Sequence, residues 1–170
     1  MNIDILVKIL FYTGTGMFAA GILAIIFEVA NAVFNHLDGR RWVTLVPYTR
    51  LVEETIRYTN NILYEKKIAN FPGYTIHYYR HKKLAGQFDG KVIVYLKSNP
   101  DIPVLVNTVL HEVMHYIQSR TDKQYKRYGE YTRSYGYRNN PLEIEARAFA
   151  EKHCESCLKY LESKQLIKKK

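Results

Sequence analysis

His111-Glu112-Val113-Met114-His115 decides how the rest of the chain is read. On a helix, residues four apart stand one above the other, so both imidazoles can reach one metal ion. A glutamate directly after the first histidine can point at a water on that metal and take its proton. The competing reading is a surface helix with two solvated histidines, and the neighbouring residues separate the two. At about 100° per residue, Ile102, Val106, Val109, Leu110, Val113 and Ile117 share roughly 100° of arc. His111 and His115 fall opposite, with Glu112 between the histidines and the flank of the stripe. One face can therefore pack on a core while the other presents ligands to a cleft. Pro103 suits a first helical turn, and Asn99-Pro100-Asp101 supplies turn and cap chemistry before it.

Upstream of this helix, Lys91 to Leu96 reads as a strand through Val92-Ile93-Val94-Tyr95, and Tyr74 to Tyr79 as another. Asp89-Gly90 is a hairpin turn signal. The residues from His81 to Gly90 read as a loop, or as a loop holding a short strand around Ala85-Gly86-Gln87-Phe88. From Thr49 to Ala69 apolar residues recur at three- and four-residue spacing, which predicts a helix stopped by Asn70-Phe71-Pro72-Gly73.

Downstream, residues 119–139 differ in kind. Six positive and two negative side chains alternate there with five tyrosines. Such a segment suits a solvated connection, a lid over a cleft or a nucleic-acid contact by phosphate pairing and stacking. Asn140-Pro141-Leu142-Glu143 then opens a helix: Asn140 can cap it, Pro141 fits its first position, and Glu143 can close a capping box. Leu142, Ala146, Phe149, Ala150, His153, Cys157 and Tyr160 share one face of that helix, so His153 and Cys157 read as core residues rather than as a second metal site. The basic end, Lys164 to Lys170, reads as frayed.

A catalytic zinc takes three protein ligands and keeps a position for water, so two histidines are not enough. Glu143 and Glu145 both flank the apolar stripe of the last helix, and periodicity does not choose between them. Among possible oxyanion donors are His77, His81 and the tyrosines between 125 and 137.

Composition sets the outer limits. At 170 residues, 47% hydrophobic and 24% charged, the chain suits one domain with a core plus an appendage, and it is not disordered throughout. Two cysteines, Cys154 and Cys157, make no disulfide framework. A net charge of +9 fits an acidic partner, nucleic acid or anionic lipid, and equally a device for solubility. Residues 9–27 carry no charge and as a helix would span about 28 Å, close to a bilayer's hydrocarbon core. That predicts a single transmembrane anchor, with a cleavable signal peptide and a buried hairpin as the other readings. The positive residues downstream of it, Arg40, Arg41 and Arg50, favour a cytoplasmic C-terminal part, and the signal-peptide reading implies secretion.

The segment Glu143-Ile144-Glu145-Ala146-Arg147-Ala148-Phe149-Ala150 resembles the E-x-x-A-D/N-x-F-A helix of several gluzincins. These include membrane peptidases that process CaaX proteins, their bacterial heat-shock relatives and the ImmA/IrrE-like peptidases. The Asn-Pro-x-x-Glu order is loosely similar to the third-ligand region of thermolysin. Ala85-Gly86, ahead of a strand and the histidine helix, resembles the core of SprT-like proteases. The resemblance covers about residues 48–163 and implies a zincin-like peptidase in which Glu143 is the third zinc ligand, with Glu145 as the alternative. It also implies a substrate-binding sheet edge, for which Val92 to Leu96 is the candidate. Arg147 stands where these families carry Asp or Asn supporting a zinc-bound histidine; Asn107, Asp101 or a backbone carbonyl are the available substitutes.

The expectation is thus an α+β chain. An N-terminal hydrophobic segment, 1–35, would be a membrane anchor. A small zincin-like domain, 36–170, would hold a helix, a short antiparallel or mixed sheet, the histidine helix and the third-ligand helix. The expected function is zinc-dependent hydrolysis of a protein or peptide, with Zn²⁺ on His111, His115 and Glu143 and Glu112 as general base. The other class of function is a non-catalytic binding module whose basic, Tyr-rich segment engages nucleic acid, anionic lipid or an acidic protein.

Overall fold

In the computed structural model, which describes residues 42–99 and 101–169, the chain begins with β1 (Trp42–Thr44), α1 (Tyr48–Tyr58) and α2 (Asn60–Glu65). Three strands follow, β2 (Tyr74–His77), β3 (Gly86–Phe88) and β4 (Val92–Tyr95), and then α3 (Ile102–Thr121). A 3-10 turn over Lys123–Arg127 leads into α4 (Tyr128–Asn139), α5 (Pro141–Ser163) and β5 (Ile167–Lys169). This is an α+β domain whose helix, sheet and helix arrangement is consistent with a small zincin-like fold.

The histidine helix α3 is the centre of the core. Asp101 starts it by accepting a hydrogen bond from the Val104 amide at 2.9 Å, and Pro103 lies in its first turn. All six residues of its expected apolar stripe are buried to 3% exposure or less. They meet Leu51, Val52 and Ile56 of α1, Val92 and Val94 of β4, and Ala146, Ala150, Cys157 and Leu161 of α5. Burial of each large aliphatic side chain contributes about 1.5–3 kcal/mol. Ala146 and Ala150 are fully buried one turn apart, and such small side chains let helix axes approach closely.

The sheet is mixed, with order β2-β4-β3; β2 runs parallel to β4 and β3 antiparallel to it. This corrects the expectation that Val92 to Leu96 forms the sheet edge. β4 is the central strand, and β3 is the edge beside α3. The unbroken apolar run Val92-Ile93-Val94-Tyr95 fits that place, with three of its four residues buried.

Three further expectations are corrected. The helix expected from Thr49 to Ala69 is two helices, because the Thr59 amide and hydroxyl both bond the Ile56 carbonyl (3.0 and 2.7 Å) and tighten the ladder to a three-residue step. The 119–139 segment is helical rather than an irregular loop. No residue of α4 is buried, so it carries no apolar stripe to read, and Gly136, with φ +74°, interrupts it. The basic C-terminus is not frayed: β5 pairs antiparallel with β1, and Lys169 Nζ stands 4.8 Å from the centre of the Trp42 ring.

The membrane expectation is also corrected. Among the described residues no helix is long and apolar enough to cross a membrane. The two long helices, α3 and α5, carry polar and charged side chains along their length. The anchor expected at residues 9–27 lies outside the described residues. Membrane attachment, single-pass topology and the cytoplasmic placement that depended on them are therefore not carried forward.

Candidate metal centre

Two neighbouring turns of α3 present His111 and His115, whose rings stand edge to face with centroids 4.8 Å apart. The third group comes from the first turn of α5. Asn140 caps that helix by accepting from the Leu142 amide at 3.0 Å, and Pro141 occupies its first turn. Glu143 is thereby placed with its carboxylate turned to the histidines rather than back into a capping box. Its Oε2 is 3.2 Å from His111 Nε2 and its Oε1 is 3.1 Å from His115 Nε2. One ligand atom from each of the three residues lies within 4.8 Å of the other two, so the group can hold a metal ion. Glu145 is elsewhere; its Oε2 accepts a hydrogen bond from Gln118 at 2.9 Å.

The donor set passes a test of fit. Glu143 is 1% exposed, and its Oε2 is buried without a hydrogen-bond partner. A buried carboxylate oxygen left that way is costly. A divalent cation held by Glu143 and the two imidazoles would remove the cost, and two imidazoles with one carboxylate suit zinc. Burial alone would raise the Glu143 pKa, but the adjoining His111 and His115 rings and the Tyr128 hydroxyl outweigh it and hold the carboxyl far below the usual carboxylate range. For His115 burial pulls the pKa down, while Glu143 and Gln118 pull it up and prevail.

Gln118, 1% exposed, fixes the tautomer of His115. Its amide nitrogen donates to Leu142 O and to Glu145 Oε2, both at 2.9 Å. Both partners only accept, so the amide oxygen is the atom facing His115 Nδ1 at 2.8 Å. Nδ1 then carries the hydrogen, and Nε2 of the neutral ring keeps its lone pair toward the metal position. The sequence offers Asn107, Asp101 or a backbone carbonyl for this support. Asp101 instead caps α3, and Arg147 lies beside Glu143, with Nη1 3.9 Å from Oε2 and Nη2 bonded to the Arg138 carbonyl.

Glu112 is 6% exposed, and burial, only partly offset by the His115 charge, pushes its carboxyl up to about 7. The edge strand β3 runs directly against it. A Cβ on Gly86 would lie 2.6 Å from Thr108 Cγ2 and 2.9 Å from Glu112 Cγ and Oε1, so only glycine fits. Thr108 Oγ1 donates to Asn99 Oδ1 (2.7 Å), and Asn99 Nδ2 donates to Ala85 O (3.0 Å), which ties the start of the strand to α3.

Two tyrosines of the 119–139 segment, Tyr125 and Tyr128, both among the candidate oxyanion donors, lie beside His115, with ring centroids 6.4 and 5.8 Å away. Tyr128 donates to Glu143 Oε1 and stands edge-on to His115, with ring centroids 5.8 Å apart. Tyr125 is pushed up to about 12 by burial and by the Glu112 charge. Tyr128 is raised further by burial and by its hydrogen bond to Glu143. Both are hydroxyl donors at neutral pH. His77 and His81 are not brought to the triad; they pack against Tyr95 with ring centroids 5.3 and 4.8 Å away. His153 lies against Phe149 and Cys157 is fully buried, and among the described residues they join no group of metal ligands.

Comparison of the chain with protein-family models, curated proteins and solved structures finds no match. The class of the site therefore rests on its own geometry, a zincin-like metal triad beside a buried glutamate.

Proposed function

We propose that this chain is a zinc-dependent peptidase. The observation that carries the reading is the meeting of His111 Nε2, His115 Nε2 and the Glu143 carboxylate next to Glu112, under an edge strand. His111, His115 and Glu143 would hold the ion, and Glu112 would be the general base. Bound zinc supplies a Lewis acid for the scissile carbonyl and lowers the pKa of a water toward neutrality.

The chain's own residues account for the remaining work. The free edge of β3 can pair with an extended peptide and lay its backbone along α3. Glu112 takes a proton from the attacking water as the oxygen bonds to the carbonyl carbon. It returns that proton to the amide nitrogen as the C–N bond breaks, leaving a carboxylic acid and an amine, and the acid's proton then passes to the amine to give carboxylate and ammonium. Gln118 holds His115 in register, and the tyrosine hydroxyls are donors for negative charge developing on the carbonyl oxygen.

The test is Glu112→Gln in the full-length chain. Zinc content should stay at the wild-type level, while kcat on a peptide pool falls by about 10²–10⁴-fold, the usual worth of a positioned base. Equal turnover by the variant, or no peptide cleaved by the zinc-loaded wild type, contradicts the reading.

A further inference from the structure

The chain between the two ligand-bearing helices is cationic and its acids are already committed. Asp122 caps the 3-10 turn through the Gln124 amide at 2.7 Å, and Glu130 pairs with Arg127 at 2.8 Å. Glu143 belongs to the triad, and Glu145 is bonded to Gln118. Among the described residues, Arg120, Lys123, Lys126, Arg133 and Arg138 have no acidic side chain within ion-pair distance.

Arg147 brings this charge to the reacting centre. It follows Glu143 by one turn of α5, its Nη2 is tied to the Arg138 carbonyl, and its side chain is 39% exposed. Its one acidic neighbour is Glu143 Oε2, at 3.9 Å, the oxygen that also faces His111. A metal ion, where Glu143 held one, would take up that carboxylate's charge. The anchored, half-exposed Arg147 guanidinium would then be left with donors suited to another carboxylate.

We propose that the site selects anionic peptides, with a substrate carboxylate next to the scissile bond pairing with Arg147 and the cations from Arg120 to Arg138 attracting it from solution. The substrate class rests on the peptidase reading; the binding preference does not. The carboxylate can be an acidic side chain or the free C-terminus of the peptide, and the two arms of the test separate them.

The full-length zinc-loaded Glu112→Gln protein is titrated, by fluorescence anisotropy, with a neutral peptide, its Gln→Glu counterparts, and versions ending in a free carboxylate or an amide. The expected result is about tenfold tighter binding of one carboxylate-bearing series, shrinking as salt is raised. Adding Arg147→Gln should narrow that ratio to about twofold, with Arg147→Lys intermediate, as loss of a bidentate donor predicts. A merely structural role for Arg147 weakens neutral and acidic peptides equally. An unchanged ratio in Arg147→Gln, or no preference for acidic peptides, overturns the inference. Cleavage of the same peptides by the wild type is read separately: if none is cut, the peptidase reading fails while the binding ratios still decide this one.

Discussion

Gln118 and His115, three residues apart on α3, share a buried hydrogen bond of 2.8 Å that ties the second histidine to the start of α5 through Leu142 O and Glu145. Removing it loosens the ligand and leaves two acceptors of α5 without their donor. Gln118→Ala should lower zinc affinity by about 10–100-fold, the usual cost of losing such a support. It should also destabilise the metal-free chain by roughly 1–3 kcal/mol. The exchange Gln118→Glu with Glu145→Gln restores an acceptor for His115 and a donor from residue 145, so affinity should recover most of the loss. Competition against a chelator of known affinity reads this directly; equal affinity in Gln118→Ala rules the support out.

Gly86 and Gly90 separate close approach from backbone conformation. Gly86→Ala forces a Cβ into Thr108 and Glu112, so it should destabilise the fold by about 1–3 kcal/mol and displace Glu112, with loss of peptide hydrolysis. Gly90 has φ +65° and open space around it; Gly90→Ala should cost roughly 1–2 kcal/mol and leave hydrolysis intact. Urea melts and turnover on the two variants give the comparison. A fully active Gly86→Ala protein would place β3 away from the reacting groups.

Cys157 supplies a pH signature outside the His111, His115 and Glu143 triad. Burial and neighbouring Cys154 push its thiol up to about 12. The native state keeps a proton that the unfolded chain releases near the ordinary value of about 8.5. That contribution is complete below this value and is lost as pH rises toward 12, at up to about 1.4 kcal/mol per pH unit. Urea midpoints at pH 8, 9 and 10 should therefore fall more steeply for the wild type than for Cys157→Ala. Alkylation of Cys157 at pH 8 should wait for unfolding.

What the sequence discloses follows periodicity and capping. The α3 stripe, the Asp101 and Asn140 caps and the Asn140-Pro141 helix start are local signals, and the structure places each where local chemistry puts it. The long-range relations are not local. Whether Glu143 or Glu145 faces the histidines depends on how α5 crosses α3, which no helical wheel contains. Gln118 is a support only because Leu142 O and Glu145 meet it, 24 and 27 residues on. The helix from Tyr128 to Asn139 has no fully buried residue, so its sequence has no stripe. The Lys-rich end looks like a tail until Trp42–Thr44 is there to pair with it.

The most direct test of the account is the zinc stoichiometry of the full-length chain, measured by elemental analysis after dialysis against limiting zinc. The account predicts one zinc per chain in the wild type and in Glu145→Gln, and its loss in His111→Ala, His115→Ala and Glu143→Ala. Absence of zinc from the wild type, or zinc retained at full occupancy in Glu143→Ala, contradicts it.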